Sequence, residues 1–68
     1  MNEKEFRQSE LKEKLINFLN ENGVKQRFIA KKIGVHEATV SRFLKRNNYY
    51  LSDDYFKRLE TFLNNKIG

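Results

Sequence analysis

The stretch IAKKIGVHEATVSRFLK, residues 29–45, decides the fold because it places Gly34 inside an otherwise helical pattern of apolar and basic residues. Within one continuous helix, Gly34 would cost roughly 1 kcal/mol and would be followed at once by the β-branched Val35. Two short helices joined by a tight turn at Gly34 fit the pattern better. The sequence therefore predicts one helix over about residues 25–33 and another over about residues 37–46.

The rest of the chain shows the same helical periodicity. Proline is absent, and β-branched residues do not alternate with polar ones over any stretch of strand length. A first helix is predicted over residues 3–21, stopped by Asn22 and Gly23, and a last helix is predicted after Ser52, which can cap it. We therefore expect one all-α domain over residues 1–68, a small fold of four to five helices. The predicted core comprises Leu11, Leu15, Phe18, Leu19, Phe28, Ile29, Ile33, Val40, Phe43, Leu44, Phe56, Leu59, Phe62 and Leu63.

Composition excludes several kinds of functional site. The chain has no cysteine and a single histidine, so it offers no disulfide, no thiol nucleophile and no imidazole-rich zinc site. Because it also lacks a glycine-rich nucleotide loop and a nucleophile with a paired base, we expect no enzyme, no catalytic residue, no metal and no cofactor. The longest apolar runs are three residues, so neither a membrane span nor a secretory signal is predicted, and we expect a cytoplasmic protein.

Positive charge is concentrated around Gly34. The formal net charge of the chain is +5. Residues 1–24 carry a net charge of −1 and residues 48–68 are neutral overall, whereas residues 25–47 carry +6, with Glu37 as their one acid. Lys31 and Lys32 could serve merely to solvate a helix surface, and the sequence leaves that alternative open for these two. For the cluster as a whole, the segregation of charge favours a surface that binds a polyanion.

The predicted helix over residues 37–46 has an unusual outward face. At about 100° per residue, its apolar residues fall on one side, and small, hydroxylated or cationic residues fall on the other. The apolar side carries Val40, Phe43 and Leu44, and the opposite side with its flanks carries Ala38, Ser41, Arg42, Lys45 and Arg46. Small residues let a helix approach the floor of a groove, arginine can bond a guanine edge through two donors, and serine or lysine can reach phosphates. The face therefore suits the major groove of DNA.

Residues 26–45, QRFIAKKIGVHEATVSRFLK, resemble the helix-turn-helix of bacterial and phage repressors of the lambda repressor and Cro type. The segment ATVSR is also similar to the lactose-repressor family. In this resemblance, Ala30 stands where the two helices cross closely, Gly34 takes the left-handed turn position and Val35 fills the corner. The motif's buried apolar positions match Ile29, Ile33, Val40 and Phe43. The resemblance covers 20 residues, and the flanking helices agree with the family fold in number and order.

The family resemblance implies roles for individual residues. The recognition helix of these repressors presents its first residues, and others one turn later, to base edges. The matching base-contacting positions are Glu37, Ala38, Ser41 and Arg42. The matching phosphate-contacting positions are Gln26, Arg27, His36, Thr39, Lys45 and Arg46. In the family, the residue that matches Gln26 often also braces the recognition helix. Two residues depart from the family pattern, because His36 and Lys25 stand where capping Ser or Thr is common, and both substitutions weaken helix starts.

Several of these residues have alternative interpretations. Glu37 could accept a hydrogen bond from a cytosine amino group, or it could favour the helix N-terminus and pair with Lys25. His36 is interpreted as a weak N-cap or a neighbour of a phosphate. A catalytic or metal-ligand role is not favoured, because no carboxylate or second histidine stands in a motif relation to it. Tyr49 and Tyr50 could pack, contact the DNA backbone or join a dimer surface, and we expect one of them to pack in the core.

Taken together, these features predict a sequence-specific regulator of transcription that binds the major groove of double-stranded DNA, most simply a Cro-like repressor. A homodimer on DNA is expected, with the last helix and the loop over residues 49–51 as its interface, and a nucleoid-associated location follows. The alternative is a protein-interaction module such as an antitoxin, or the DNA-binding end of a larger repressor. Salt-dependent DNA binding would separate these classes.

Overall fold

The computed structural model describes residues 2–67, with side chains through residue 65, so Met1 and Gly68, the ends of the predicted domain, lie outside the described residues. Four helices and no strand are present in this part of the chain: α1 (Glu3–Asn22), α2 (Gln26–Ile33), α3 (Glu37–Lys45) and α4 (Asp53–Ile67). The prediction of a small all-α fold is confirmed, and the number of helices is at the lower end of the expected range.

The long helices begin and end at recognisable local signals. The side-chain oxygen of Asn2 accepts the Glu5 N–H at 2.8 Å at the start of α1, and Gly23 ends that helix with a φ of 63°. The hydroxyl of Ser52 accepts the Tyr55 N–H at 3.2 Å at the start of α4. The predicted cap at Ser52 and the predicted stop at Gly23 are therefore both confirmed.

The turn between α2 and α3 lies at Gly34, as predicted. Gly34 adopts the left-handed conformation, with φ 74° and ψ 37°, and the Val35 N–H donates to the Ala30 carbonyl at 3.0 Å. Ala30 is buried, and α2 packs more extensively on α3 than on any other helix. The small side chain of Ala30 and the positive φ of Gly34 together allow two short helices to meet at a corner.

One hydrophobic core joins all four helices. Helix α4 packs across α1 and α2, and α1 also packs against α3. The rings of Phe18 and Phe62 meet edge to face, with their centroids 5.6 Å apart. Because every helix buries apolar residues in this cluster, α3 is held from one side while its other side stays open to solvent. The buried apolar residues are Leu11, Leu15, Phe18, Ile29, Ala30, Ile33, Val40, Phe43, Leu51, Leu59 and Leu63.

One prediction of burial was wrong, and two helices are one residue shorter than predicted. Phe28 was expected in the core, but its side chain is 41% exposed, because it lies about 100° from Ile29 and about 140° from Ile33 around α2, away from the buried side. The remaining predicted core residues outside the fully buried cluster, Leu19, Leu44, Phe56 and Phe62, are half-buried against it. Helix α3 ends at Lys45 instead of Arg46, whose backbone is extended. Helix α2 begins at Gln26, with Lys25 as its N-cap.

Two hydrogen bonds from a buried glutamine of α1 hold the segment that follows α3. The Gln8 side chain donates to the Leu51 carbonyl and accepts the Leu51 N–H, both at 3.1 Å. Leu51 belongs to the loop predicted as a dimer interface, but it lies in the core and offers no contact surface. Tyr49 packs against the core, as expected for one of the two tyrosines, whereas Tyr50 is exposed and its ring lies 5.9 Å from Lys4 Nζ.

Substitution of Gly34 by alanine is expected to lower the melting temperature, and the same change at Gly23 should lower it to a similar extent. Both glycines have positive φ, where a side chain costs roughly 1–2 kcal/mol. A Cβ at Gly34 would lie 3.4 Å from Arg58 Nη1, an ordinary contact with the end of a flexible side chain, and a Cβ at Gly23 would meet nothing within 4 Å, so at both positions the cost comes from the backbone. Thermal unfolding followed by circular dichroism would compare the two variants. A Gly34→Ala melting temperature equal to that of the parent chain would contradict the positive φ at the turn.

Candidate nucleic-acid interface

The outward side of α3 is the centre of the candidate site. Val40 and Phe43 are buried on the inner side of this helix. Of the predicted base-contacting residues, Glu37, Ala38 and Arg42 are exposed and Ser41 is half-buried. The structure thus presents these four residues on an accessible surface, and Ser41 is the least exposed of them.

The predicted phosphate-contacting residues surround this helix, but they do not form one cluster. Arg27, His36, Lys45 and Arg46 are exposed, and Gln26 and Thr39 are half-buried. Gln26 and Arg27 line a single depression together with Glu37, at the point where the start of α2 meets the start of α3. Lys45 and Arg46 lie at the other end of α3. Cations therefore flank the helix at both ends.

An ion pair joins the starts of α2 and α3. Arg27 Nε donates to Glu37 Oε2 at 3.2 Å. The sequence-based alternative paired Glu37 with Lys25, and this partner was wrong: Lys25 precedes α2, while Arg27 in its first turn reaches the carboxylate. Gln26 makes no side-chain hydrogen bond to α3 among the described residues, so the expected brace between these helices comes from Arg27 instead.

Helices α2 and α3 both begin without a side-chain cap, as the sequence predicted. Lys25 is the N-cap of α2 and His36 is the N-cap of α3, and neither side chain accepts a hydrogen bond from its helix. The N–H of Thr39 bonds to the His36 carbonyl at 3.0 Å, so the backbone alone closes the first turn of α3. The first N–H groups of α3 consequently remain available at the surface, beside Glu37.

Lys12 of α1 holds the far end of α3. Its ammonium donates to the Arg46 carbonyl at 3.0 Å and lies 5.6 Å from the centroid of the Phe43 ring. A cation at the C-terminus of a helix interacts favourably with the helix dipole. Sequence reasoning missed this contact, although Lys12 follows the buried Leu11 and its stem can cover apolar surface. The contact lies at the point where α3 ends and the chain turns away.

Arg58 of α4 makes an equivalent contact at the end of α2. Its Nη1 donates to the carbonyls of Ile33 and Gly34, at 3.2 and 3.4 Å, and its Nη2 lies 3.1 Å from Asp54. Nothing in the sequence pattern singled out Arg58, because its partners are main-chain atoms 24 and 25 residues away. The turn that orients α3 is thus supported from behind by α4.

The outward side of α2 is also cationic and carries an aromatic ring. Phe28 is exposed there, and Lys32 Nζ lies 5.4 Å from the centroid of its ring. Lys31 and Lys32 are exposed as well. All seven basic residues between positions 25 and 47 are exposed: Lys25, Arg27, Lys31, Lys32, Arg42, Lys45 and Arg46. The positive segment of the sequence is therefore a positive surface, formed by α2, α3 and the residues at their ends.

The described part of the chain holds neither a candidate metal site nor a candidate membrane span. No three side chains of the His, Cys, Asp or Glu types come together there to hold a metal ion. None of the four helices has the length and apolar character needed to cross a bilayer.

Comparison of the chain with protein-family models, curated proteins and solved structures gave no match.

Proposed function

We propose that this chain is a sequence-specific, double-stranded-DNA-binding regulator of transcription, most simply a small Cro-like repressor that reads the major groove with α3. The observation that carries the proposal is the exposed face of α3, where Ala38, Arg42 and Lys45 lie opposite the buried Val40 and Phe43. Bound over a promoter, such a protein would act by occlusion. The proposal involves no catalytic residue and no cofactor.

The dimensions of α3 support this use. A helix of nine residues is about 13 Å long and, with its side chains, about 10–12 Å wide. The major groove is about 12 Å wide, so a helix of this size can enter it. Ala38 ends at Cβ and would permit close approach near the start of α3, while Arg42, one turn later, can offer two donors to a guanine edge.

The charge distribution supports a polyanionic partner. All seven cations of residues 25–47 are exposed, and the single acid among these residues, Glu37, is paired with Arg27. Each phosphate that such a cation neutralises releases condensed counterions, which lowers the slope of log K against log salt by about 0.9. The proposed function therefore requires DNA binding that weakens steeply as salt rises.

Selection of bound sequences from a random duplex pool tests the proposal. We expect a short enriched sequence, bound more tightly than a scrambled duplex by a factor within the roughly 10³–10⁷ range that separates specific from non-specific sites. Titrations at several salt concentrations would then give the number of phosphate contacts. A pool without enrichment, combined with weak binding that ignores salt, would contradict the proposal and favour the protein-interaction module.

We also expect two protomers to bind one operator. The domain measures 31 × 26 × 20 Å, so two copies placed side by side match half-sites about 34 Å apart on one face of the duplex. The proposed contact is through α4 and the exposed Tyr50. The outward side of α4 is polar, carrying residues such as Lys57 and Thr61, so we expect this contact to be weak without DNA.

Light scattering on the selected duplex would give the stoichiometry. Two protomers should bind a duplex with two half-sites, and one protomer should bind a duplex with a single half-site. One protomer on the longer duplex at saturation would show that the domain acts as a monomer.

A further inference from the structure

The ion pair between Arg27 and Glu37 uses only one of the two oxygens of the Glu37 carboxylate. Arg27 Nε contacts Glu37 Oε2 at 3.2 Å, while within residues 2–65 the other oxygen, Oε1, has no hydrogen-bond partner. Glu37 is the first residue of α3, at the end of the helix where base contacts are proposed. The pair thus presents one oriented acceptor atom at the surface.

This pair contributes little to folding. The side chains of Arg27 and Glu37 are 81% and 51% exposed, and exposed ion pairs are screened by water and salt. Its placement matters more, because a lone carboxylate that enters a groove lined by phosphates is repelled by them. With Arg27 bound to one oxygen, the two side chains are neutral together, and Glu37 can approach DNA.

We propose that Arg27 is a positioning residue that orients the Glu37 carboxylate toward a cytosine, in place of the phosphate contact that the family resemblance implied for it. This inference rests on the proposed function and specifies one position of its DNA sequence. In the major groove, cytosine presents the N4 amino group as a donor, and a carboxylate can only accept. Glu37 Oε1 would accept from N4 while Oε2 stays bound to Arg27.

The test repeats the sequence selection with two variants. The parent chain should select cytosine at one position. Arg27→Ala should reduce that preference at least about fivefold, the lower end of the discrimination given by a good side chain–base contact, and it should also weaken binding overall, because the unpaired Glu37 carboxylate is repelled by the phosphates. Glu37→Gln should move the preference at the same position to adenine, because an amide can both accept from N6 and donate to N7.

Lys31→Ala is the matched control. Lys31 is an exposed cation on the same helix as Arg27, so its removal changes the net charge equally, but it makes no contact with Glu37. We expect this variant to keep the full cytosine preference. Melting temperatures of all three variants should stay close to that of the parent chain, since exposed substitutions of this kind rarely alter stability by more than about 0.5 kcal/mol.

The possible outcomes separate this inference from the proposed function. If Arg27→Ala keeps the full cytosine preference and lowers the salt slope by about one unit, Arg27 is a phosphate anchor and the inference is overturned. The inference also fails if Glu37→Gln leaves every base preference unchanged. If the parent chain enriches no sequence at all, the proposed function fails, and the inference fails with it.

Discussion

Replacement of Gln8 by methionine is expected to lower the free energy of unfolding by about 2–4 kcal/mol, because it leaves two buried main-chain groups without partners. Gln8 donates to the Leu51 carbonyl and accepts the Leu51 N–H, and both residues are buried. Methionine has a similar length and volume, so the loss reports the hydrogen bonds more than a change in packing. A chain of this length has a total stability of only about 3–10 kcal/mol, so the effect is large.

Thermal and urea unfolding would measure this loss. For a domain of this size, each 1 kcal/mol corresponds to about 4–8 °C, so the melting temperature should fall by at least about 8 °C. Ser9→Ala is the control, because Ser9 is the next residue of α1 and is exposed. We expect that change to stay within about 0.5 kcal/mol of the parent chain. Equal stability of the Gln8→Met and Ser9→Ala variants would show that the bonds to Leu51 contribute nothing.

Arg42→Ala and Lys45→Ala should weaken DNA binding in different ways. Arg42 lies on the exposed face of α3 opposite Val40 and Phe43, and it is proposed to contact a base. Its truncation should cost about 1–3 kcal/mol on the selected sequence and little on a scrambled duplex, so specificity falls. Lys45 is the last residue of α3 and is proposed to contact a phosphate. Its truncation should weaken both complexes similarly and reduce the salt slope by about one unit.

Binding titrations of both variants on both duplexes, at several salt concentrations, would distinguish these effects. Each variant serves as the control for the other, because both remove one exposed positive charge from the same helix. If Arg42→Ala weakens both duplexes equally while Lys45→Ala abolishes discrimination, the two roles are exchanged and the recognition face is rotated around α3.

The turn and the helices could be predicted from sequence because their signals are local. Gly34 in an apolar and basic helical pattern indicated the corner, and its φ of 74° agrees with that role. Ser52 and Gly23 marked helix ends within one or two residues. The exposure of Ala38 and Arg42 followed from the helical period once Val40 and Phe43 were assigned to the core. Such features depend on neighbours three or four residues away, which a single sequence displays.

Contacts between distant side chains and the main chain could not be predicted in this way. Gln8, Lys12 and Arg58 each bond to backbone atoms at least 24 residues away, and no spacing in the sequence encodes such a pair. The burial of Gln8 does have a local signal, because Gln8 stands three residues before Leu11, on the buried stripe of α1. Phe28 was assigned to the core by its apolar character, whereas its helical phase relative to Ile29 would have placed it outside.

The supports of α3 and its turn share a property that bears on how the protein can change. Lys12 and Arg58 bond to main-chain carbonyls, of Arg46 and of Ile33 and Gly34, and Gln8 bonds to the main chain of Leu51. A carbonyl is present whatever the side chain, so these supports do not depend on which residues occupy positions 38, 42 and 45. Random substitution at those three positions should therefore yield a library of folded chains with different binding preferences.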